Sequence, residues 1–238
     1  GLRAWLANLG LACRSKDKRL PAHFYGLTKD NIRLFLNRFI ACDGHIADKG
    51  LDIVLASEEL IKDLRFLLLR LGIQSRTFFK LSTYPGARCV FPCWRLTVTG
   101  GDAVLLFQEI GDVIGKEASC KRLLESLTST IRNTNVDVVP IGVKQVQELA
   151  DELGMRRIGG DWKTRSKGDR PRTQLRNFFG TSRKRQHVSR DRFIKFCAAY
   201  NYTGKYAWLA SNDIGWEQVK TIKTIGERHV YDLSVPET

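Results

Sequence analysis

Between Thr28 and Ser129 an apolar helical stretch is twice followed by a pair of short alternating segments, and this order constrains the fold more than any other feature. In the first helical stretch Ile32, Leu34, Phe35, Leu36, Phe39 and Ile40 are apolar over about two and a half turns. Thr28 suits its N-cap, so a helix is expected over about Lys29–Cys42. Asp43 falls in the last turn, where the helix dipole disfavours a negative charge, and Gly44 is a natural stop. A carboxylate placed there calls for a cation beside it, and a bound divalent metal is one such cation. An ordinary surface Asp-Gly turn accounts for the same residues.

The second helical stretch follows Ser57, an N-cap residue, with Glu58 and Glu59 in its first turn and Gly72 at its stop. Before it, HIAD and LDIVLA read as two strands turned by Lys49-Gly50. After it come strand candidates Gln74–Leu81 and Ala87–Thr99, split by Pro85-Gly86, then helices at about Gly101–Ile110 and Glu117–Ser129. The order αββαββα predicts an α+β architecture, an antiparallel sheet covered on one face by helices. On the other face Arg76, Phe78 and Lys80 alternate along one strand, and Arg95, Thr97 and Thr99 along another. Such a face suits a DNA major groove, although a solvated face of ordinary Lys and Arg looks the same in sequence.

The net charge of +14 points to a polyanionic partner, most simply nucleic acid. Its distribution is uneven: Arg156–Lys195 carries 14 Lys or Arg against three Asp, a net +11. Helical patterns flank this stretch at Val143–Gly154 and Ser189–Tyr200, with Thr173–Phe179 between, which suggests a small helix-turn-helix-like basic module. Within it Lys163, Arg165, Lys167, Arg183, Lys184 and Arg185 are candidate phosphate contacts; a disordered basic loop has the same composition. Beyond it, Trp216–Val235 alternates as two strands around Gly226.

Six scattered cysteines, with only Cys89 and Cys93 close together, argue against structural zinc and for reduced, mostly buried thiols. No stretch approaches about 18 consecutive apolar residues, and Leu2–Leu11 lacks a signal-peptide pattern. The expectation is a cytoplasmic protein without a membrane partner.

Three segments together resemble one family. LNRFIACDG (Leu36–Gly44) looks like a degenerate copy of the LAGLIDADG motif of homing endonucleases. KRLP (Lys18–Pro21) resembles the Lys-containing block of intein-borne members, and VYDLSVPET (Val230–Thr238) resembles the penultimate splicing block of inteins. The entry NTNVDVVPIG, the basic insert and DIGWEQV look most like inteins of replicative DNA helicases.

The resemblance implies a site-specific, divalent-metal-dependent double-strand DNA endonuclease within a self-splicing intein, with a helicase as host. It implies Asp43 as metal ligand, the Cys42 backbone carbonyl as a second, Lys18 as a basic catalytic residue, and Mg2+ or Mn2+ as cofactor. Asp232 would serve splicing, and the DNA partner would be a duplex with a long target site. The implied organisation is the end of a first endonuclease repeat and the Lys block at 1–28, and a LAGLIDADG repeat at 29–133. A DNA-binding insert at 134–210 and splicing-domain strands at 211–238 complete it. Arg38 stands where the motif has a small Gly, Ala41 replaces its first acid, and only one copy of the motif is present. The intein's N-terminal Cys or Ser block and terminal His-Asn are also missing, so a piece of a longer protein is expected. A DNA-binding module without cleavage, or a splicing element whose endonuclease has decayed, are the competing expectations.

Overall fold

The computed structural model describes residues 1–83, 90–128, 137–158, 161–163, 175–179, 187–211, 214–217, 219 and 221–229. A short helix α1 (Leu2–Asn8) and two 3-10 turns (Ser15–Asp17, Ala22–Gly26) lead into α2 (Lys29–Asp43). The Thr28 side chain accepts from Asn31 N at its start, and Ile32, Leu36, Asn37 and Ile40 form its buried stripe. The hairpin β1 (Gly44–Ala47) and β2 (Gly50–Leu55) follows directly. Ser57 Oγ accepts from Leu60 N at 3.0 Å and starts α3 (Glu58–Arg70), whose buried Leu60, Ile61, Leu64, Leu67 and Leu68 keep helical spacing. Next come β3 (Arg76–Ser82), β4 (Phe91–Thr99), α4 (Gly101–Ile110) and α5 (Glu117–Thr128).

The four strands form one antiparallel sheet in the order β1-β2-β4-β3. Period-two alternation turns Leu51, Ile53, Leu96 and Val98 inward, where they meet α2, α3 and α4 in one buried core. Each fully buried Leu or Ile contributes about 1.5–3 kcal/mol. The expected αββαββα order is present, with element ends within a few residues. The stretch 84–89, expected to hold the Pro-Gly turn and the start of β4, lies outside the described residues.

Two glycines are dictated by space. Gly44 does end the helix, with an extended backbone (φ −82°) and not the left-handed conformation common at helix ends. A Cβ there would lie 2.7 Å from Ile40 Cγ2 and 2.8 Å from Ile40 O, because β1 turns back against the last turn of α2. At Gly50 a Cβ would meet Val98 O of the paired strand at 2.0 Å.

A second core gathers Val139, Ile141, Leu149, Met155, Leu175, Phe179, Val188, Phe193, Phe196, Tyr202 and Leu209. It is built from α6 (Val143–Glu152), α7 (Leu175–Phe179) and α8 (Arg190–Tyr200), with two small antiparallel ladders. β5 (Val138–Val139) pairs with β8 (Val188–Ser189), and β6 (Arg156–Ile158) with β7 (Asp161–Lys163). The module is thus mixed rather than helical alone. The missed hairpin had a signal in sequence, a Gly-Gly pair between RRI and DWK. Buried Arg190 ties the module together: its Nε donates to both Asp137 oxygens at 3.0 and 2.8 Å, and its other nitrogens to the carbonyls of Leu209, Ser211 and Ile214.

The C-terminal strands expected over Trp216–Val235 need correction where that stretch is described. None of residues 214–217, 219 and 221–229 is in a strand, and Val219, Ile222 and Ile225 are 73%, 90% and 66% exposed. An alternating segment becomes a strand only when a sheet edge takes its backbone hydrogen bonds, and among the described residues no edge does so here. Residues 230–238, including Asp232, lie outside the described residues. The thiols also differ from expectation: Cys93 and Cys120 are buried, Cys197 is half-buried, and Cys13 and Cys42 are exposed.

Candidate active site and open sheet face

Asp43 is the last residue of α2 and is exposed, its place fixed by the abrupt exit into β1. It lines a cleft of about 400 Å³ together with Lys18, Arg19, Phe35, Phe39 and Leu55. The structure therefore brings together two of the residues singled out in sequence, 25 positions apart. Phe35 and Phe39 come from the same helix, and Phe24 meets Phe35 edge-on at 4.9 Å, giving the cleft an apolar wall.

The Lys18 segment is held by α3. Ser57 Oγ, while capping that helix, donates to Lys18 O at 2.5 Å. Buried Asp63 accepts from Leu20 N at 2.8 Å and from Tyr25 OH at 2.5 Å, and Arg19 lies 3.5 Å from the same carboxylate. The hydrogen bond to Asp63, then burial, raises the Tyr25 hydroxyl above its ordinary range. The hydrogen bond to Tyr25 and the charge of Asp63 likewise raise the Arg19 guanidinium. Asp63 was not singled out in sequence, although a lone acid within the apolar stripe of Leu60, Leu64 and Leu67 signals a partnered carboxylate.

The cation that the end of α2 calls for is partly supplied by the protein. Lys116 Nζ donates to Ile40 O at 2.7 Å and to Gly44 O at 2.5 Å. Ile40 O also accepts the backbone N–H of Gly44. Lys116 lies 73 positions beyond Asp43, so nothing local in sequence connects them.

The donor chemistry at Asp43, a carboxylate on the last residue of α2 with the Cys42 carbonyl just before it in the last turn, suits a hard divalent cation. The count does not suffice by itself. Asp43 is the one carboxylate among the described residues lining the cleft, and no cluster of three metal-binding side chains occurs among the described residues. Phosphate oxygens and a further carboxylate would have to complete the coordination.

The open face of the sheet carries Arg76, Phe78 and Lys80 exposed on β3, and Arg95, Thr97 and Thr99 half-buried on β4, as the alternation required. The face is not uniformly basic. Asp52 on β2 accepts from Arg95 Nε at 3.1 Å and from Arg95 Nη2 at 2.5 Å, which raises the guanidinium further. Lys163 lies on β7, whereas Arg165, Lys167, Arg183, Lys184 and Arg185 lie outside the described residues.

Comparison with known proteins agrees with this geometry. An α+β layer in which an acid ends a helix beside an open antiparallel sheet is what residues 30–111 form, and these residues match the LAGLIDADG-like domain model. Residues 30–111 are thus similar to a LAGLIDADG-like domain. Over 98% of its length it is 30% identical to the replicative DNA helicase DnaB of Synechocystis sp. and 27% identical to that of Rhodothermus marinus. It covers 26% and 24% of those two proteins, so it spans about a quarter of their length. Over 64% of the chain it is 27% identical to the replication factor C small subunit of Methanocaldococcus jannaschii, covering 8% of that protein. No helix among the described residues is long and apolar enough to cross a membrane.

Proposed function

We propose that this chain is the endonuclease-bearing part of an intein in a replicative DNA helicase, and that it cuts both strands of a long DNA target with a divalent metal. The placement of Asp43 and Lys18 in one cleft at the end of α2 supports this reading most directly. The matches to two helicases, each over a quarter of the helicase, support the host.

In this mechanism the open sheet and the basic module hold the duplex and present a phosphate to the cleft. Asp43 and the Cys42 carbonyl would hold Mg2+ or Mn2+ against phosphate oxygens. The metal, when bound, lowers the pKa of an attacking water and stabilises charge on the phosphate. Lys18, fixed through its carbonyl by Ser57, places an ammonium on the phosphate as charge develops. Lys116 offsets the electron-rich end of α2, so that Asp43 remains ordered between cycles. Asp232 would assist splicing at the other end of the chain as an acid or base.

Asp43→Asn in the intact precursor tests the reading. The expected result is loss of plasmid linearisation with DNA affinity nearly unchanged and splicing intact, whereas Asp232→Ala does the reverse. Cleavage by Asp43→Asn at the wild-type rate sinks the assignment. A second reading, DNA binding without cleavage, is favoured by the single carboxylate in the cleft. It predicts that wild-type protein binds duplex but leaves it intact in Mg2+ and in Mn2+.

A further inference from the structure

A carboxylate on a surface meant for a polyanion repels the ligand unless it has a task. On the open face of the sheet Asp52 is the one acid among the described strand residues. Its neighbours there are His45 and Thr97 directly across on β1 and β4. Arg95 stands opposite Val54 on β2 and Phe78 on β3, so it reaches diagonally to Asp52, past its own cross-strand partners. Apolar neighbours on both sides leave the guanidinium that one polar anchor among the described residues.

The way the pair is joined matters. Asp52 takes the Nε and Nη2 edge of the guanidinium, which uses two of its five N–H groups. Both N–H groups of Nη1 and one of Nη2 remain, and two of these lie parallel on the outer edge. That edge fits the O6 and N7 acceptors of guanine in the major groove. Asp52 is only 21% exposed while Arg95 is 42% exposed, so the acid lies beneath the arginine and the arginine faces outward. A free arginine must give up rotamer freedom when it meets a base, whereas an anchored one has already lost it.

We propose that Asp52 is a positioning residue that holds Arg95 as a reader of guanine, so that sequence preference at one base pair depends on a carboxylate that touches no DNA. The proposal rests on the reading of this chain as a DNA-binding protein and adds which side chains select the sequence.

The test is selection from a randomised duplex library by the full chain, followed by sequencing, for wild type, Asp52→Ala, Asp52→Asn, Asp52→Glu and Arg95→Ala. Thermal melting checks that each is folded, and Asp52→Asn, equal in size, replaces Asp52→Ala if the latter does not fold. Wild type should prefer guanine at one position by about 5- to 150-fold. Arg95→Ala and Asp52→Ala should both reduce that preference to within about 2-fold, at the same position, leaving other positions and the salt slope of binding unchanged. Asp52→Glu should restore part of the preference. If the Asp52 variant keeps every preference, or loses one that Arg95→Ala retains, the pairing has no reading role and the proposal falls. If wild type binds duplex with no guanine preference, the proposal falls alone. If wild type binds no duplex at all, the functional reading falls with it.

Discussion

Replacing Lys116 by Met removes a charge from the end of α2 while keeping most of the apolar stem. The ammonium donates to Ile40 O at 2.7 Å and to Gly44 O at 2.5 Å, and the side chain is half-buried. A hydrogen bond to a charged group is worth about 1.5–3 kcal/mol, and a cation at a helix C-terminus adds about 0.3–1 kcal/mol. Partial exposure lets water replace some of this, and Ile40 O keeps its bond from the Gly44 N–H, so a net loss of about 2 kcal/mol is expected. For a chain of this size that corresponds to a fall in melting temperature of about 4–8 °C. The loss belongs to the first core, so amide exchange should accelerate in the last turn of α2 and in β1, while amides of α8 keep their protection. Calorimetry with hydrogen exchange reads both quantities. A loss below about 0.5 kcal/mol, or one shared equally by α8, would refute the reasoning.

Three further substitutions probe the same region and its neighbour. Gly44→Ala forces a methyl against Ile40 Cγ2 and O and should cost about 1–3 kcal/mol in urea unfolding; a cost near zero would show that β1 can move away. Asp63→Ala strands the buried Leu20 N–H and releases Arg19 and Tyr25, so a loss of about 2–4 kcal/mol and faster proteolysis within 14–21 are expected, and unchanged proteolysis argues against the clamp. Burial raises the Asp102 carboxyl above its ordinary value despite the N–H of Gln74 at 2.8 Å. The folded chain then holds that proton more tightly than the unfolded one. Stability falls as pH rises from about 4 through the raised value, and Asp102→Asn should match wild type in acid yet exceed it at neutral pH. A difference between the two that is constant across this range would count against it.

The αββαββα order was legible because α2 and α3 each announced themselves twice, by apolar spacing and by an end signal. Ser57 caps α3 as its position required, and Arg76, Phe78 and Lys80 share a face because strand alternation leaves no other choice. The cleft was legible only through family resemblance, since no local pattern links Lys18 to Asp43. What stayed hidden depends on distant pairing. Lys116 reaches α2 from the loop after α4, and Asp63 meets a segment more than 40 residues away. Asp52 met Arg95 only once β2 and β4 were neighbours, which the strand order β1-β2-β4-β3 decides. The alternation misled over the described residues 216, 217, 219 and 221–229 for the same reason, because a strand is a property of a pair and the sequence shows one member.

The two cores have no buried side chain in common among the described residues. Most of the excess positive charge lies in the stretch belonging to the second. A lineage can therefore exchange, enlarge or discard residues of the second module without opening a void beneath the sheet, and mutations in one core add to those in the other instead of compounding them. Under the proposed function, affinity for the duplex backbone and the geometry around Asp43 are thus free to drift at different speeds. Descendants of this chain would be expected to lose or swap the basic cassette long before the helix-and-sheet layer changes its plan.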